Sequence, residues 1–423
     1  MNENLITGLD IGSGKILGIT GYLSDTGIDI LGTEIVEVPE NFITKGRITD
    51  IEGVTNLLFD VFDSLSEQVK ERISYVTIGI GGGYVKGSIY SKKIEITPNG
   101  REINKNDIQF LKKEIKNSIM AGKEVGEKIL TILPQFYIID GHNITTKLPI
   151  GMHGNTLEMK VLAISVEINP VKDIGHCIES AGGQIEHIFP HAWASGEATL
   201  TEEEKEMGCL LIDMGKGTTD IAIYFKNTIT EVASFRIGGW YIDNDLSAVL
   251  YTPIELAEEL KINYGYCNYL KMKENKDPKL LEEIEISSPS GKIIGKVTVE
   301  KISEIVYARV TEILYDYVKP VVVKNSLSVS LAGGVIITGG CSKLKGIIEL
   351  SSDIFKLPVR IGVPIRTYNL DKNFQKPEYS SAFGLITLAS KQLKERQKSF
   401  YDKLKETFAK IKKNFKKGLR KIK

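Results

Sequence analysis

Leu9-Asp10-Ile11-Gly12-Ser13-Gly14 returns 203 residues later as Ile212-Asp213-Met214-Gly215-Lys216-Gly217. In both places an apolar run ends in an aspartate, a Gly-x-Gly turn follows, and a second apolar run begins. Each reads as a β-hairpin with a tight glycine turn. A repeat at fixed spacing is the first sign of related structural units, and here it implies two related lobes. The turns also carry chemistry. A hairpin turn rich in Gly and Ser exposes consecutive backbone N–H groups, which form an anion-binding concavity suited to phosphate. Glycine permits the positive φ angles and the close approach this needs. Asp10 and Asp213 repel phosphate but can hold Mg²⁺ and its waters beside one. In the second turn Thr218, Thr219 and Asp220 add two hydroxyls and a further carboxylate. Either turn alone reads as well as an ordinary hairpin; the pair describes a clamp for a polyphosphate between two lobes.

A third element completes the set. Ile336-Ile337-Thr338-Gly339-Gly340-Cys341-Ser342-Lys343-Leu344 is a strand, a glycine pair and a helix start. Gly339 and Gly340 would let a flat adenine base and its ribose approach the backbone, with Ser342 beside them.

The rest of the chain arranges itself around these turns. Residues 28–38 continue the β character of the first hairpin. Residues 50–70 read as a helix with Ile51, Val54, Leu57, Leu58, Val61, Phe62 and Leu65 on one face. Residues 75–80 form a buried-strand candidate closed by Gly81-Gly82-Gly83. The order β-β-β-α-β predicts a mixed sheet with a helix packed on it. Residues 84–161 differ: they read as short strands with one polar helix over 107–121, and as an inserted subdomain. Residues 161–165 return to buried-strand character, and a helix over 171–181 ends at Gly182-Gly183. A second β-rich block begins at Gly208, helices and charge fill 242–300, and a long helix is predicted over 299–319. Residues 380–393 are helical and lead into the tail.

The chain has 423 residues, 42% apolar and 26% charged, which suits a globular protein of two to four domains or subdomains. Its formal net charge is zero, so nothing global points to nucleic acid. The zero conceals a split: from Asp402 to Lys423 ten Lys or Arg face two acids, so the tail carries +8 and the remainder −8. Cys177, Cys209, Cys267 and Cys341 are scattered without CxxC spacing, which fits a reducing compartment better than a disulfide framework or zinc site. The opening MNENLITGLDIG lacks a basic segment and an apolar core, so no signal peptide is expected. No apolar run approaches the roughly 18 residues of a membrane span, and any membrane contact is expected to be peripheral.

The tail supplies such a contact. With about 100° per residue, Leu404, Phe408, Ile411, Phe415, Leu419 and Ile422 fall within an arc of about 80°. Lysines and Arg420 cover the opposite side. A narrow apolar stripe opposite a cationic face is the composition of a helix lying in an anionic membrane interface. An RNA-binding tail would not need two phenylalanines in register with the aliphatics. Residues 385–417 contain no Gly or Pro, so the tail is joined either by a short linker or as a continuation of the last domain helix.

Taken as an ordered set, the two phosphate turns and the adenosine turn resemble those of the actin, Hsp70 and sugar-kinase superfamily. Other stretches sharpen the resemblance. Pro149-Ile150-Gly151-Met152-His153-Gly154 with Leu157-Glu158, Lys45-Gly46-Arg47-Ile48 with Asp50-Ile51-Glu52, Val359-Arg360-Ile361-Gly362-Val363-Pro364, and Tyr379-Ser380-Ser381-Ala382-Phe383-Gly384-Leu385 are similar to the bacterial cell-division family FtsA. So is Thr201-Glu202-Glu203-Glu204-Lys205-Glu206-Met207-Gly208. The similarity runs from about Leu5 to the last residue.

The resemblance implies a two-lobed actin-like α/β fold. Its first lobe core would comprise 1–83, 162–193 and about 378–395, with an FtsA-type inserted subdomain at 84–161. The second lobe core would comprise 194–241 and 302–377, with a small subdomain at 242–301, and 396–423 would be the amphipathic tail. It implies ATP and Mg²⁺ as cofactors. Asp10, Gly12, Ser13, Gly14 and Lys15 would form the first phosphate site. Asp213, Gly215, Lys216, Gly217, Thr218 and Thr219 would form the second, with Asp10 and Asp213 toward the metal. Gly339, Gly340 and Ser342 would lie at the adenosine, with Lys261 near the nucleotide. It further implies self-association into filaments, docking of the C-terminal tail of FtsZ on 242–301, contacts with other division proteins, and a peripheral location on the cytoplasmic face of the membrane at the division site. Three positions depart from the family pattern: Lys216 stands at a usual glycine, Asp243 at a usual threonine, and Asn263 at an often basic position. Weak ATP hydrolysis is the most the sequence suggests. Glu186, His187 and His191 are candidates to orient water, but Pro190 argues against a regular helix there, and none is assigned as catalytic. Two other readings share the fold. A small-molecule kinase would need a catalytic carboxylate in a substrate pocket, and none is evident. The other is an MreB-like or pilus-type scaffold for a different machine, and an actin-type topology at 84–161 would favour MreB.

Overall fold

The computed structural model describes residues 4–24, 27–287, 293–326, 330–365 and 374–398. Among these, the strands form a five-stranded and a nine-stranded sheet with three small two-stranded ribbons. The first hairpin, Leu5–Ile11 and Lys15–Ser24, pairs antiparallel in the five-stranded sheet, with Gly27–Glu37 beyond it. Tyr75–Ile80 joins the other edge of Leu5–Ile11 in parallel, and Gln184–Pro190 lies parallel beyond that. The helix Ile51–Val69 crosses back between antiparallel and parallel strands. It starts where expected because Asp50 caps it, accepting from the Gly53 N–H at 2.9 Å. Its apolar stripe, Val54, Leu58, Val61, Phe62 and Leu65, meets Leu9, Ile16 and Ile78 of the sheet in one core.

The second hairpin, Cys209–Met214 and Thr219–Phe225, occupies the matching place in the nine-stranded sheet. Thr228–Phe235 lies on one side, and Val335–Thr338 runs parallel to Cys209–Met214 on the other, followed by Val359–Ile361. Each lobe therefore presents its glycine turn at the end of a central hairpin. The helix Val299–Glu312 packs Ile302, Val306 and Val310 on this sheet. The helix expected over 299–319 is longer and irregular. A π-helical stretch, Ile313–Val318, interrupts it, and helix resumes over Lys319–Ser326. Pro320 supplies the cause: it lacks the N–H for an i−4 bond and its ring clashes with that carbonyl, which a wider turn relieves.

The inserted region departs from expectation in its strands. They run 11 residues (Val85–Glu95), 13 (Glu127–Ile139) and 12 (Thr156–Glu167) and form one antiparallel ladder. Pro134 breaks the alternation in sequence, so the segment reads as short pieces. In the fold the register shifts between Lys160 and Val161, and Gln135 is left over as a bulge. Gln135 is buried and donates to the Thr230 carbonyl at 2.9 Å, tying the insert to the second-lobe sheet. The polar helix Lys105–Gly122 covers the ladder with Ile108, Leu111, Ile115 and Ile119. A capping box closes its start: Asn104 Oδ1 accepts from Asn106 and Asp107, and Asp107 accepts from the Asn104 N–H.

The last helix, residues 380–398, packs between the helix His191–Thr199 and the first sheet. Ala382, Phe383, Leu385 and Ile386 are fully buried. The apolar tail residues Leu404, Phe408, Ile411, Phe415, Leu419 and Ile422 lie outside the described residues. No described helix is long and apolar enough to cross a membrane. The four cysteines are free and buried.

Gly384 marks where this helix meets the helix His191–Thr199. A Cβ there would stand 1.7 Å from the Ala194 carbonyl oxygen, so only glycine permits the approach. Gly384→Ala is expected to lower the unfolding free energy by about 1–3 kcal/mol through overpacking. Lys394→Ala on the exposed face should change it by less than about 0.5 kcal/mol. Urea unfolding of the two variants side by side checks this.

Candidate functional site

The two hairpin turns are built alike. Gly12 N–H donates to the Lys15 carbonyl at 3.0 Å, and Gly215 N–H donates to the Thr218 carbonyl at 2.9 Å. Both turns open onto one cleft of about 540 Å³, within the range of ligand sites. They also touch each other. A Cβ on Gly217 would stand 2.5 Å from Ser13 Oγ, and Ser13 Oγ in turn accepts from the Gly46 N–H at 3.2 Å. Asp10, Gly12, Ser13, Gly14, Lys15, Asp213, Gly215, Lys216, Gly217, Thr218, Lys261, Gly339 and Gly340 all line the cleft. Thr219 and Ser342 do not. Thr219 is fully buried, and its hydroxyl donates to the Ile237 carbonyl at 2.7 Å. The alternation of the strand turns it away from Thr218, toward the core. Ser342 is buried and its hydroxyl closes the short helical turn on the Gly339 carbonyl at 2.7 Å. Both support the turns that carry them.

Three carboxylates face the interior of the cleft. Asp10 Oδ1 lies 3.3 Å from His191 Nε2. Asp213 accepts a short hydrogen bond from the Ser195 hydroxyl. Asp220 accepts from Thr218 Oγ1 at 2.9 Å and from the Ser234 hydroxyl. Burial raises the Asp213 carboxyl to about 7, partly offset by the Ser195 bond, with Asp220 and Asp10 adding repulsion. Burial raises Asp220 as well. Carboxylates crowded in a dry site favour a cation among them. Among the described residues no group of three acidic, His or Cys side chains forms a ready metal cage.

Lys15 balances them. Burial lowers its ammonium pKa against the pull of Asp10 and Glu378. Its Nζ sits 4.2 Å from the centre of the Tyr379 ring, and no carboxylate is within ion-pair distance among the described residues. It is a half-buried cation that lines the same cleft as both glycine turns. The third turn stands opposite. Val335–Thr338 lies beside Cys209–Met214 with Thr338 level with Asp213, and Gly339 turns at φ 83°. The Thr338 hydroxyl lies 2.9 Å from the Gly362 carbonyl, to which it can donate, and 2.7 Å from the Ser380 hydroxyl, from which it can accept, tying this turn to the last helix. Lys343 pairs with Glu378 at 2.8 Å at the rim.

Sequence reasoning left several lining residues unassigned: Gly46, Gly79, Gly81, Glu258, Lys343 and Glu378. The glycines had a signal, since the strand over 75–80 ends in a glycine run and Gly46 follows Lys45 in a quoted stretch. The acids had none. His191, one of the open candidates, begins the helix His191–Thr199 beside Asp10. Glu186 and His187 lie on the strand Gln184–Pro190, and both line a different hollow.

Two sheets of common design, each offering a glycine turn to a shared cleft, place the chain in the class of two-lobed actin-like proteins. Comparison with known proteins narrows this. The family model "Cell division protein FtsA" matches residues 210–384, and the model "SHS2 domain inserted in FTSA" matches 82–165. The chain is similar to Cell division protein FtsA of Neisseria meningitidis serogroup B, 31% identical over 390 residues that cover 92% of this chain and 91% of the relative. The same protein of Pseudomonas aeruginosa is 30% identical over 383 residues, covering 90% and 88%. Escherichia coli K12 FtsA is 26% identical over 397 residues, covering 91% and 90%. The chain belongs to the FtsA family of cell-division proteins. Among solved structures, the PilM-PilN type IV pilus biogenesis complex superposes with a TM-score of 0.64 at 14% identity, covering 91% of this chain and 98% of that one. MreB5 of Spiroplasma citri bound to ADP gives 0.52 at 15% identity, covering 94% and 99%. These likenesses show the actin-like fold alone. The SHS2 insert distinguishes the chain from the MreB-type reading.

Lys261 and Asp243 form the most buried ion pair of the site, 2.6 Å apart and nearly without exposure. Burial raises the Asp243 carboxyl to about 6, opposed by Lys261. A folded-state value above the ordinary 3.8 means that folding takes up a proton in between, so this group's contribution to stability falls as pH rises from about 4 to about 6. Lys261→Met leaves the charge unpaired. It should cost about 3–5 kcal/mol at pH 8 and clearly less at pH 5, where Asp243 is protonated. Urea unfolding at the two pH values checks this.

Proposed function

We propose that the chain binds ATP with Mg²⁺ between its lobes and acts as a membrane adaptor in cell division. In this reading it polymerises, engages the tubulin-like protein FtsZ, and holds it at the cytoplasmic face of the membrane through residues 396–423. The observation that carries the nucleotide reading is Lys15: a half-buried cation lining the cleft beside the two glycine turns, with no carboxylate within ion-pair distance among the described residues. A polyphosphate supplies a counter-charge for Lys15 and the acceptors that the turn N–H groups want. The residues present fit such a ligand. Gly12, Ser13 and Gly14 would hold one phosphate, Gly215, Gly217 and Thr218 another, and Gly339 and Gly340 would flank the adenosine. Asp10 and Asp213 fit Mg²⁺ in the way that ion is usually held, by one or two carboxylates with phosphate and water completing the shell. Thr219 and Ser342 would act behind the turns. Bound Mg²⁺–ATP would supply charge neutralisation and a link between the lobes. The described residues contribute orientation and exclusion of water, and hydrolysis is weak at most.

The adaptor reading rests on family membership, on the amphipathic pattern of Leu404, Phe408, Ile411, Phe415, Leu419 and Ile422, and on the excess of Lys and Arg around it. The small subdomain at 242–301 is the proposed docking face for the FtsZ C-terminal tail. The inserted subdomain is proposed for self-association and for other division proteins.

Two measurements test these claims separately. Isothermal titration should show ATP binding, and Lys15→Ala should weaken it by about 1.5–3 kcal/mol, the worth of a charged hydrogen bond. Purified FtsZ should be recruited to anionic liposomes by the full chain with ATP, and not by a chain ending at Lys398. Liposome binding without FtsZ recruitment would leave the membrane role and remove the partner. Absence of liposome binding by the full chain would remove the membrane role.

A further inference from the structure

Lys216 lies in the turn between the strands Cys209–Met214 and Thr219–Phe225. Its Nζ lies 3.0 Å from Glu258 Oε2 and 3.8 Å from Glu40 Oε1. Glu258 belongs to the second lobe, on the helix Ile254–Tyr264, and Glu40 to the first, just after the strand Gly27–Glu37. The lysine stem reaches across Gly14, where a Cβ would come within 3.3 Å of it. Glu258 is also 3.9 Å from Lys261, whose partner is Asp243. The result is a row of alternating charge, Glu40, Lys216, Glu258, Lys261 and Asp243, running from one lobe into the other. A second contact crosses the cleft in the reverse direction. Lys45 of the first lobe places its ammonium 4.7 Å from the Tyr241 ring centre and 5.2 Å from that of Trp240, at the start of the second-lobe helix Gly239–Leu250.

We propose that Lys216 and Lys45 form a reciprocal cationic clasp across the cleft mouth, and that Lys216 sets how fast a nucleotide leaves by joining Glu40 to Glu258 instead of binding phosphate. This rests on the reading that a nucleotide occupies the cleft. A lysine held by two carboxylates is a poor phosphate ligand, because phosphate must displace both. Its removal would leave Glu40 and Glu258 facing each other near the cleft mouth, where like charges repel. The pairs are partly exposed, at 26% for Lys216, 34% for Glu258 and 42% for Glu40, so each one is worth little alone and is screened by salt. The cation–π contact of Lys45 adds a similar amount.

The test follows release of a fluorescent ATP analogue by stopped flow at about 0.05 M and about 0.5 M salt. Hydrogen exchange of residues 38–48 and 214–218 is measured in parallel without nucleotide. Lys216→Met and Glu40→Gln should each speed release about twofold to fivefold at low salt, with little effect at high salt. Lys216→Arg should keep the wild-type rate, and Lys45→Met should add its own acceleration. Exchange in both segments should rise in the same variants. If Lys216 is a phosphate ligand, Lys216→Met weakens binding while Glu40→Gln tightens it, and the clasp is wrong. Unchanged exchange and release in both variants overturns it too. If the wild-type chain binds no nucleotide, the nucleotide reading fails, and exchange alone decides whether the clasp exists.

Discussion

The approach of two glycine turns governs this molecule. Gly217 lies so near Ser13 that no side chain fits between them, and the Ser13 hydroxyl is held by the Gly46 backbone. Backbone amides from two lobes therefore face one small volume, from which bulky side chains are excluded. Each sheet exists, in functional terms, to deliver a turn to that point. The hairpins are central in their sheets and packed on both faces, so the turns are positioned by the cores and not by loops.

The same volume collects charge that an ordinary interior would reject. Asp10, Asp213 and Asp220 face it, with Lys15, Lys216 and the buried Lys261 also lining it. Unpaired buried charge costs several kcal/mol, and strongly shifted carboxyls cluster at functional sites. Ser195, Thr218 and Ser234 hydroxyls relieve part of that cost. Asp10 and Glu378 act on Lys15 only from beyond ion-pair distance, and the cleft is complementary to an anion accompanied by a cation. The helix His191–Thr199 joins this site to the last helix. His191 meets Asp10 at one end, Ser195 meets Asp213 in the middle, and Glu197 near the other end is held by Lys205 at 3.3 Å and by Lys391.

Much of this was legible in the chain. The repeated Asp-x-Gly-x-Gly, the helix over 51–69 and the glycine pair at 339–340 follow from local chemistry and period. The strands of the insert were misjudged in length because Pro134 and the bulge at Gln135 hide their alternation. The resemblance put Thr219 in the second phosphate site and Ser342 at the adenosine, whereas strand alternation and the tight turn point their side chains into the core. Glu40, Glu258 and Glu378 gave no signal at all, being ordinary surface acids until the lobes meet.

The sequence by itself determined the two hairpins, the identity of their turns, the family and the amphipathic character of residues 404–422, because each depends on neighbours a few residues apart or on a repeat. Only the tertiary structure decided which acids surround the cleft, that Lys15 meets the Tyr379 ring and no carboxylate at ion-pair distance, and that Lys216 and Lys45 cross from lobe to lobe. Those relations join residues tens to hundreds of positions apart, and their energies depend on burial and distance, neither of which is written in the order of the chain.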